Sequence, residues 1–215
     1  LVEGAMDWVR DRRRSLAIVV SYFTDSFYQR EAFELVRSCQ RFSLDYHVQE
    51  VVSLGSWLQN TNYKPQFLLD MAIRYPERTI VWVDADARFR KRPDLFNIRS
   101  PLWDVSFRKI PSGKLCSGKC CSGTVILPSG SKREGLLKEW IHQIELHPES
   151  TDQVCLGFAM HRLQADRYEL PVEYCWIFDF DEDGKKVEMD PAKYEPVVEH
   201  LQASRWVRHC PRCGT

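Results

Sequence analysis

Apolar positions along this chain alternate between unbroken runs and helical spacings, and the alternation sets out its elements. SLAIVVSYF, ending at Phe23, is a continuous apolar run of the length of one strand buried on both faces. Thr24 and Asp25 follow as cap residues. Phe27, Phe33, Val36 and the Leu35/Cys39 pair then recur at helical spacing through SFYQREAFELVRSCQRF. YHVQEVV reads as a second strand and GSWLQNTNY as a loop. KPQFLLDMAIRYP reads as a helix, with Pro65 in its first turn and Pro76 ending it. RTIVWVD is a third strand. The order β-α-β-α-β predicts an α/β fold: an open, mostly parallel sheet with helices on both faces.

Beyond this point the rhythm changes. LWDVSF and GTVILP are predicted strands, separated by a loop rich in Lys, Gly, Ser and Cys. SKREGLLKEWIHQIEL and STDQVCLGFAMHRL are predicted helices, the second capped by Ser150 or Thr151 with Asp152 in its first turn. YELPVEYCWIF reads as a strand, and VVEHLQASRW as a tail. Residues 1–15 are expected to lie outside the fold, with LVEGAM a remnant of cloning. No apolar run approaches the roughly 20 residues of a membrane helix, and no leader pattern opens the chain. The expectation is a cytoplasmic protein with no membrane partner.

Composition changes little: 44% hydrophobic and 28% charged residues are ordinary for a globular chain, and 30 basic residues balance 30 acidic ones. The distribution is less even. Arg88, Arg90, Lys91, Arg92, Arg99, Arg108, Lys109, Lys114 and Lys119 crowd one segment, which suits an anionic ligand or a solvated surface.

That basic segment begins at the paired carboxylates of TIVWVDADARF. Asp84 and Asp86 end a buried strand, where ligands of open parallel sheets bind, and residues i and i+2 of an extended chain share a face. Two carboxylates converging on one point need a positive charge between them. A hard divalent ion, Mg2+ or Mn2+, meets that need and completes its shell with water and substrate phosphates.

On these residues the sequence resembles the GT-A fold nucleotide-diphospho-sugar transferases. YKPQFLLDMAIRYPERTIVWVDADARFRKRPDLF is similar to the family's core, in which a Lys-bearing helix precedes an apolar strand ending in Asp-x-Asp. CSGTVIL resembles its Ser-Gly strand, STDQVCL its Asp-Gln helix start, and VEHLQASR the segment that supplies a metal-binding His. The resemblance runs from Leu16 to Arg205. It implies a single domain over 16–205, with a nucleotide-binding half 16–97, an acceptor-side half 98–205 and a Cys-rich tail 206–215. It implies a glycosyltransferase that moves a sugar from a nucleoside-diphosphate donor, a UDP-sugar by expectation, to an acceptor hydroxyl. Asp84, Asp86 and His200 would hold the metal, with Ala85 between the aspartates. Ser21, Tyr22, Phe23 and Thr24 would meet the base and ribose, with Tyr22 or Phe23 stacking. Lys64 and Arg205 would reach the diphosphate. Ser122, Gly123, Gln153 and Trp176 would line the acceptor and sugar pocket, and Asp152 would take the acceptor's proton. Metal binding through a neutral His200 would fade below the ordinary imidazole value of about 6.5.

Eight cysteines remain. Cys39, Cys155 and Cys175 fall in predicted elements and read as small core residues. Cys116 with Cys120 or Cys121, and Cys210 with Cys213 in HCPRCG, have the pairing of a four-thiolate zinc site; free thiols, or the start of a further zinc module, are the alternatives. Two other function classes share these features: a metal-dependent phosphohydrolase or nuclease, and a zinc-containing nucleic-acid-binding protein. The acceptor is open, with hydroxymethylated DNA one candidate given the basic segment.

Overall fold

The computed structural model describes residues 6–12, 15–97, 102–109, 120–177, 179–180, 186–187 and 195–203. The strands are β1 (Asp7–Arg10), β2 (Ala17–Phe23), β3 (Tyr46–Glu50), β4 (Thr79–Val83), β5 (Ala87–Phe89), β6 (Val105–Lys109), β7 (Cys120–Leu127), β8 (Arg167–Glu169), β9 (Asp179–Phe180), β10 (Lys186–Val187) and β11 (Val198–His200). The helices are α1 (Ser26–Arg41), α2 (Trp57–Asn62), α3 (Lys64–Arg74), α4 (Ser131–Leu146) and α5 (Asp152–Arg162). Seven strands form one sheet in the order β1-β3-β2-β4-β7-β6-β8. β3, β2, β4, β6 and β8 run the same way, and β1 and β7 oppose them. The mixed α/β, mostly parallel sheet is as the sequence predicts.

The period of two in each strand sorts the core onto two faces. Ile18, Val20 and Tyr22 of β2, with Ile80 and Trp82 of β4, pack under α3, α4 and α5. Ala17, Val19 and Phe23, with Val81 and Val83, pack under α1 and the β5 segment. This is why the apolar runs are unbroken: both faces are covered.

Four local expectations need correction. GSWLQNTNY is not a loop: Ser56 caps α2 and Gln59 reaches back to the Ser56 backbone, a reciprocal capping box. The YELPVEYCWIF strand is cut short, because Pro171 ends its pairing and Val172–Cys175 turn as a 3-10 helix. Cys120 and Cys121 belong to β7 rather than to the preceding loop. Within the supposed N-terminal tail, Asp7–Arg10 pair antiparallel with β3 as the sheet's edge, and Trp8 stacks on Phe23 at 5.4 Å.

One buried cation fixes the frame around the site. Arg133 of α4, 6% exposed, donates to three backbone carbonyls: Arg78 at 2.5 Å, Ala72 at 3.1 Å and Pro76 at 3.0 Å. It ties α4 to the turn joining α3 to β4, the two elements that carry Lys64 and Asp84. Arg133→Met should strand these carbonyls and lower stability by about 2–4 kcal/mol in denaturant unfolding. Arg37→Met, which removes only an exposed ion pair to Glu34, should change stability by under about 1 kcal/mol.

Candidate active site

The site lies where β4 ends. Asp84 leaves the strand as its N–H donates to the Gly123 carbonyl of β7 at 3.0 Å. The chain then turns, with the Ala87 N–H closing on the Asp84 carbonyl at 2.9 Å. The two aspartates therefore converge through a turn and not through the pleat of an extended strand, which corrects the i, i+2 argument. The turn feeds β5, whose antiparallel partner is β11, with His200 opposite Ala87. In this way a residue from near the far end of the sequence joins the pair. Ligand atoms of Asp84, Asp86 and His200 lie within 4.8 Å of one another.

Each of the three is held. The Asp84 Oδ1 accepts the Trp82 indole N–H at 2.9 Å. The Asp86 Oδ2 accepts the Ala203 N–H at 2.6 Å, and the Asp86 carbonyl accepts the Leu201 N–H at 3.3 Å. His200 Nε2 is 2.9 Å from the Thr124 hydroxyl, while its buried Nδ1 has no hydrogen-bond partner among the described residues and lies 4.0 Å from Asp84 Oδ2. With Nε2 donating to Thr124, the Nδ1 lone pair is left for a cation. Gly123 makes room: a Cβ there would lie 3.1 Å from His200 Cε1 and 3.3 Å from Asp84 Oδ2.

Beside this cluster sits a buried ammonium. Lys64, 3% exposed at the start of α3, bonds to Asp152 Oδ2 at 2.7 Å, to the Ser122 hydroxyl and carbonyl at 3.1 Å each, and approaches Asp84 Oδ1 at 3.3 Å. Ser122 donates to the same Asp152 oxygen at 2.6 Å. Burial works to lower the Lys64 pKa, but the carboxylates of Asp152 and Asp84 outweigh it and hold it above the ordinary lysine range. Three carboxylates around one ammonium leave two negative charges uncompensated when all are ionised. A divalent ion in the Asp84–Asp86–His200 cluster matches that deficit, and the mixed O, O, N donors suit Mn2+ as well as Mg2+.

The other expected residues divide. Ser122, Gly123 and Asp152 join the site. Ala85 is buried in the core beneath the turn. Tyr22 and Phe23 do not offer free faces for stacking.

 The Tyr22 ring packs among Tyr63, Phe67 and Trp82, and Phe23, 2% exposed, stacks on Trp8; both are enclosed, which corrects the expectation that either stacks on a base. Ser21 is fully buried, its hydroxyl without a partner among the described residues. Thr24 is half-buried, beside the Asp25 that caps α1. The Gln153 carbonyl accepts the Cys120 thiol at 2.8 Å, and the buried Trp176 pairs through its backbone with β11. Arg205, Cys116, Cys210 and Cys213 lie outside the described residues. Sequence reasoning missed Trp82 and Thr124. The period of two was the available signal, since Trp82 is two residues before Asp84 and Thr124 two after Ser122.

Five of the described residues of the basic segment bond within the chain, three of them as exposed pairs. Arg88 pairs with Glu31, Arg90 with Glu199, Lys91 with Glu195 and Lys109 with Glu169, while buried Arg108 donates to the Cys175 carbonyl. Arg99, Lys114 and Lys119 lie outside the described residues.

With this geometry in view, solved structures supply a comparison. A glycosyltransferase involved in the glycosylation of the major capsid of PBCV-1 superposes with a TM-score of 0.64 at 13% identity, over 86% of this chain and 93% of that one. The chain has a glycosyltransferase fold. The apo-form glycosyltransferase GlyE of Streptococcus pneumoniae TIGR4 superposes with a TM-score of 0.54 at 15% identity, over 86% of this chain and 54% of GlyE. This chain thus spans about half the length of GlyE. No protein-family model and no curated protein matches the sequence. Among the described residues no helix is long and apolar enough to cross a membrane.

The two buried groups of the cluster are shifted in opposite directions. Burial, then the neighbouring Asp84 charge, raises the Asp86 pKa from 3.8 to about 6; burial lowers His200 from 6.5 to about 4. The folded chain favours the neutral form of each. Stability from protonated Asp86 is complete below about 4 and lost as pH rises through about 6; stability from neutral His200 is complete above about 6.5 and lost as pH falls through about 4. A cation held by the cluster would compete with the Asp86 proton, because the His200 ring is already neutral. The Mn2+-induced rise in Tm should therefore be full near pH 7.5 and fall away below about 6, which moves the expected control from His200 to Asp86. Asp86→Asn should raise the metal-free stability at pH 7.5 by about 2–3 kcal/mol and abolish the Mn2+ shift. Thermal unfolding at the two pH values checks both; an equal Mn2+ shift at both would place the ion elsewhere.

Proposed function

We propose that this chain is a metal-dependent glycosyltransferase that takes a sugar from a nucleoside-diphosphate donor, a UDP-sugar by expectation, and places it on an acceptor hydroxyl. One observation carries the reading: the Asp84, Asp86 and His200 cluster, with its unpartnered Nδ1, lies at the carboxyl end of β4 in a glycosyltransferase fold. Asp84, Asp86 and His200 would hold Mn2+ or Mg2+. When bound, the ion supplies Lewis-acid stabilisation of the negative charge on the departing diphosphate.

The chain's own residues do the rest. In transfer, the bond from the sugar's anomeric carbon to the β-phosphate oxygen breaks and its electron pair leaves with the diphosphate. The acceptor oxygen forms the new bond to that carbon and gives up its proton. Asp152 is the buried carboxylate next to the metal cluster but outside it, and it receives that proton. Lys64 holds Asp152 and Asp84 in a fixed relation through its bonds to both, and Ser122 orients the Asp152 oxygen. The ion pairs of Arg88, Arg90, Lys91 and Lys109 weaken the charge argument for DNA, and the acceptor is assigned only as a hydroxyl compound.

Titration calorimetry with UDP should show binding that requires Mn2+ and disappears in Asp84→Asn. UDP affinity that is the same with and without Mn2+ would refute the donor site. With a donor that is turned over, Asp152→Asn should lower kcat for transfer by about 10²–10⁴ while leaving Mn2+-dependent UDP affinity within a few-fold. A loss of UDP affinity as large as the loss of kcat would make Asp152 a structural support for Lys64 and not the base.

A further inference from the structure

A second chemical feature lies behind the site and takes no part in it. Cys121 of β7 and Cys175 of the 3-10 turn bring their sulfurs to 3.5 Å, and both side chains are buried. Neighbouring residues of a strand point to opposite faces, so Cys120 takes no part: its thiol is on the Gln153 carbonyl. Arg108 lies opposite Cys121 in the β6–β7 pairing and donates to the Cys175 carbonyl at 3.0 Å, so a buried guanidinium adjoins the thiol pair. The positions matter for the site. Cys121 immediately precedes Ser122, Gly123 and Thr124. Cys175 immediately precedes Trp176, whose N–H donates to the Val198 carbonyl and whose carbonyl accepts the His200 N–H.

We infer that Cys121 and Cys175 are a redox-responsive thiol pair, converted by hydrogen peroxide into a disulfide that staples β7 to the 3-10 turn on which β11 and His200 are hung. The inference does not depend on the transferase reading. The bond between the two sulfurs holds the Cys121 thiol below its ordinary range; that same bond, then burial, pushes Cys175 up. Cys121, with the Arg108 guanidinium opposite it in the β6–β7 pairing, is the sulfur that reacts first. Its thiolate attacks one peroxide oxygen, the O–O bond breaks, and the leaving hydroxide takes up a proton to become water. The Cys121 sulfenic acid is then attacked by the Cys175 sulfur. The S–O bond breaks and a second water leaves with the Cys175 proton. In total two thiols lose two electrons and two protons, and one peroxide is reduced to two waters.

The test treats the full chain with a slight excess of hydrogen peroxide, blocks the remaining thiols by alkylation, and maps the peptides by mass spectrometry without reduction. The expected product links the Cys121 peptide to the Cys175 peptide, with the mass of two hydrogens lost, and dithiothreitol reverses it. The linked form should melt at a higher temperature than the reduced form, because the bond closes a long loop in the unfolded chain. Cys175→Ser should lose both the linked peptide and the peroxide-induced rise in Tm. Cys121 recovered unlinked, joined to a different cysteine, or oxidised only to sulfinic acid overturns the pairing. A linked form that melts no higher than the reduced one overturns the staple.

Discussion

The Lys64 ammonium is the charge around which the site is assembled. An isolated ammonium at 3% exposure would carry a desolvation cost of several kcal/mol and would shed its proton. Here it keeps that proton because Asp152 and Asp84 reach it from two different elements. The position also runs against the helix dipole, since a cation at the first residue of α3 faces the positive end. Asp152 at the first residue of α5 is favoured by its own dipole and offsets the conflict across a 2.7 Å contact. Two helix starts and the end of β4 are thereby drawn to one point, and the Trp140 indole, bonded to the Asp152 carbonyl at 2.7 Å, holds α5 there from α4.

Asp86 shows the opposite condition. Lys64 bonds to Asp152 and approaches Asp84, whereas Asp86 lies away from it; burial, then the neighbouring Asp84 charge, raises the Asp86 pKa. The frame that holds Asp86 there is stable for other reasons: two apolar layers over a seven-stranded sheet, and buried arginines that satisfy carbonyls at its turns. A strained electrostatic site on a well-packed scaffold is the usual form of a binding centre, in which local rules are broken where a ligand restores them. Of the groups here, the unpartnered His200 Nδ1 and the proton-binding Asp86 are the two that a cation would relieve.

Much of the fold was legible because it rests on periodicity. The unbroken runs at β2 and β4 and the helical spacing of α1 and α3 each reflect a face that must be covered, and the sheet follows from their order. The candidate metal cluster was legible in part: the aspartates by their place after a strand, His200 only through the family resemblance. The mode of convergence was not, because an Asp-Ala-Asp turn and an Asp-Ala-Asp strand read alike in sequence. Tyr22 and Phe23 were misread for a related reason. A strand end carries no mark of whether a neighbouring helix covers it, and α3 and Trp8 enclose these rings. The ion pairs of the basic segment were equally hidden, since Glu195 and Glu199 lie about a hundred residues from the arginine and lysine they neutralise.

Backbone contacts explain how such a site can rest on so little sequence. His200 is placed by the pairing of β11 with β5 and by the Trp176 carbonyl, and Asp86 by the N–H groups of Leu201 and Ala203. These bonds are available to almost any side chain. What the site asks of side chains is narrow: the Asp84, Asp86 and His200 cluster, an ammonium with its carboxylate and hydroxyl, no Cβ at Gly123, and a hydroxyl at Thr124. Beyond these, the Trp82 and Trp140 indoles and the Arg133 guanidinium steady the frame, and most of the sheet need only be apolar at the right period. A fold shared with solved glycosyltransferases at 13–15% identity is what that division of labour permits. The pattern and the backbone carry the scaffold, and the chemistry is confined to a few positions that the β4 turn and the β5–β11 ribbon bring together.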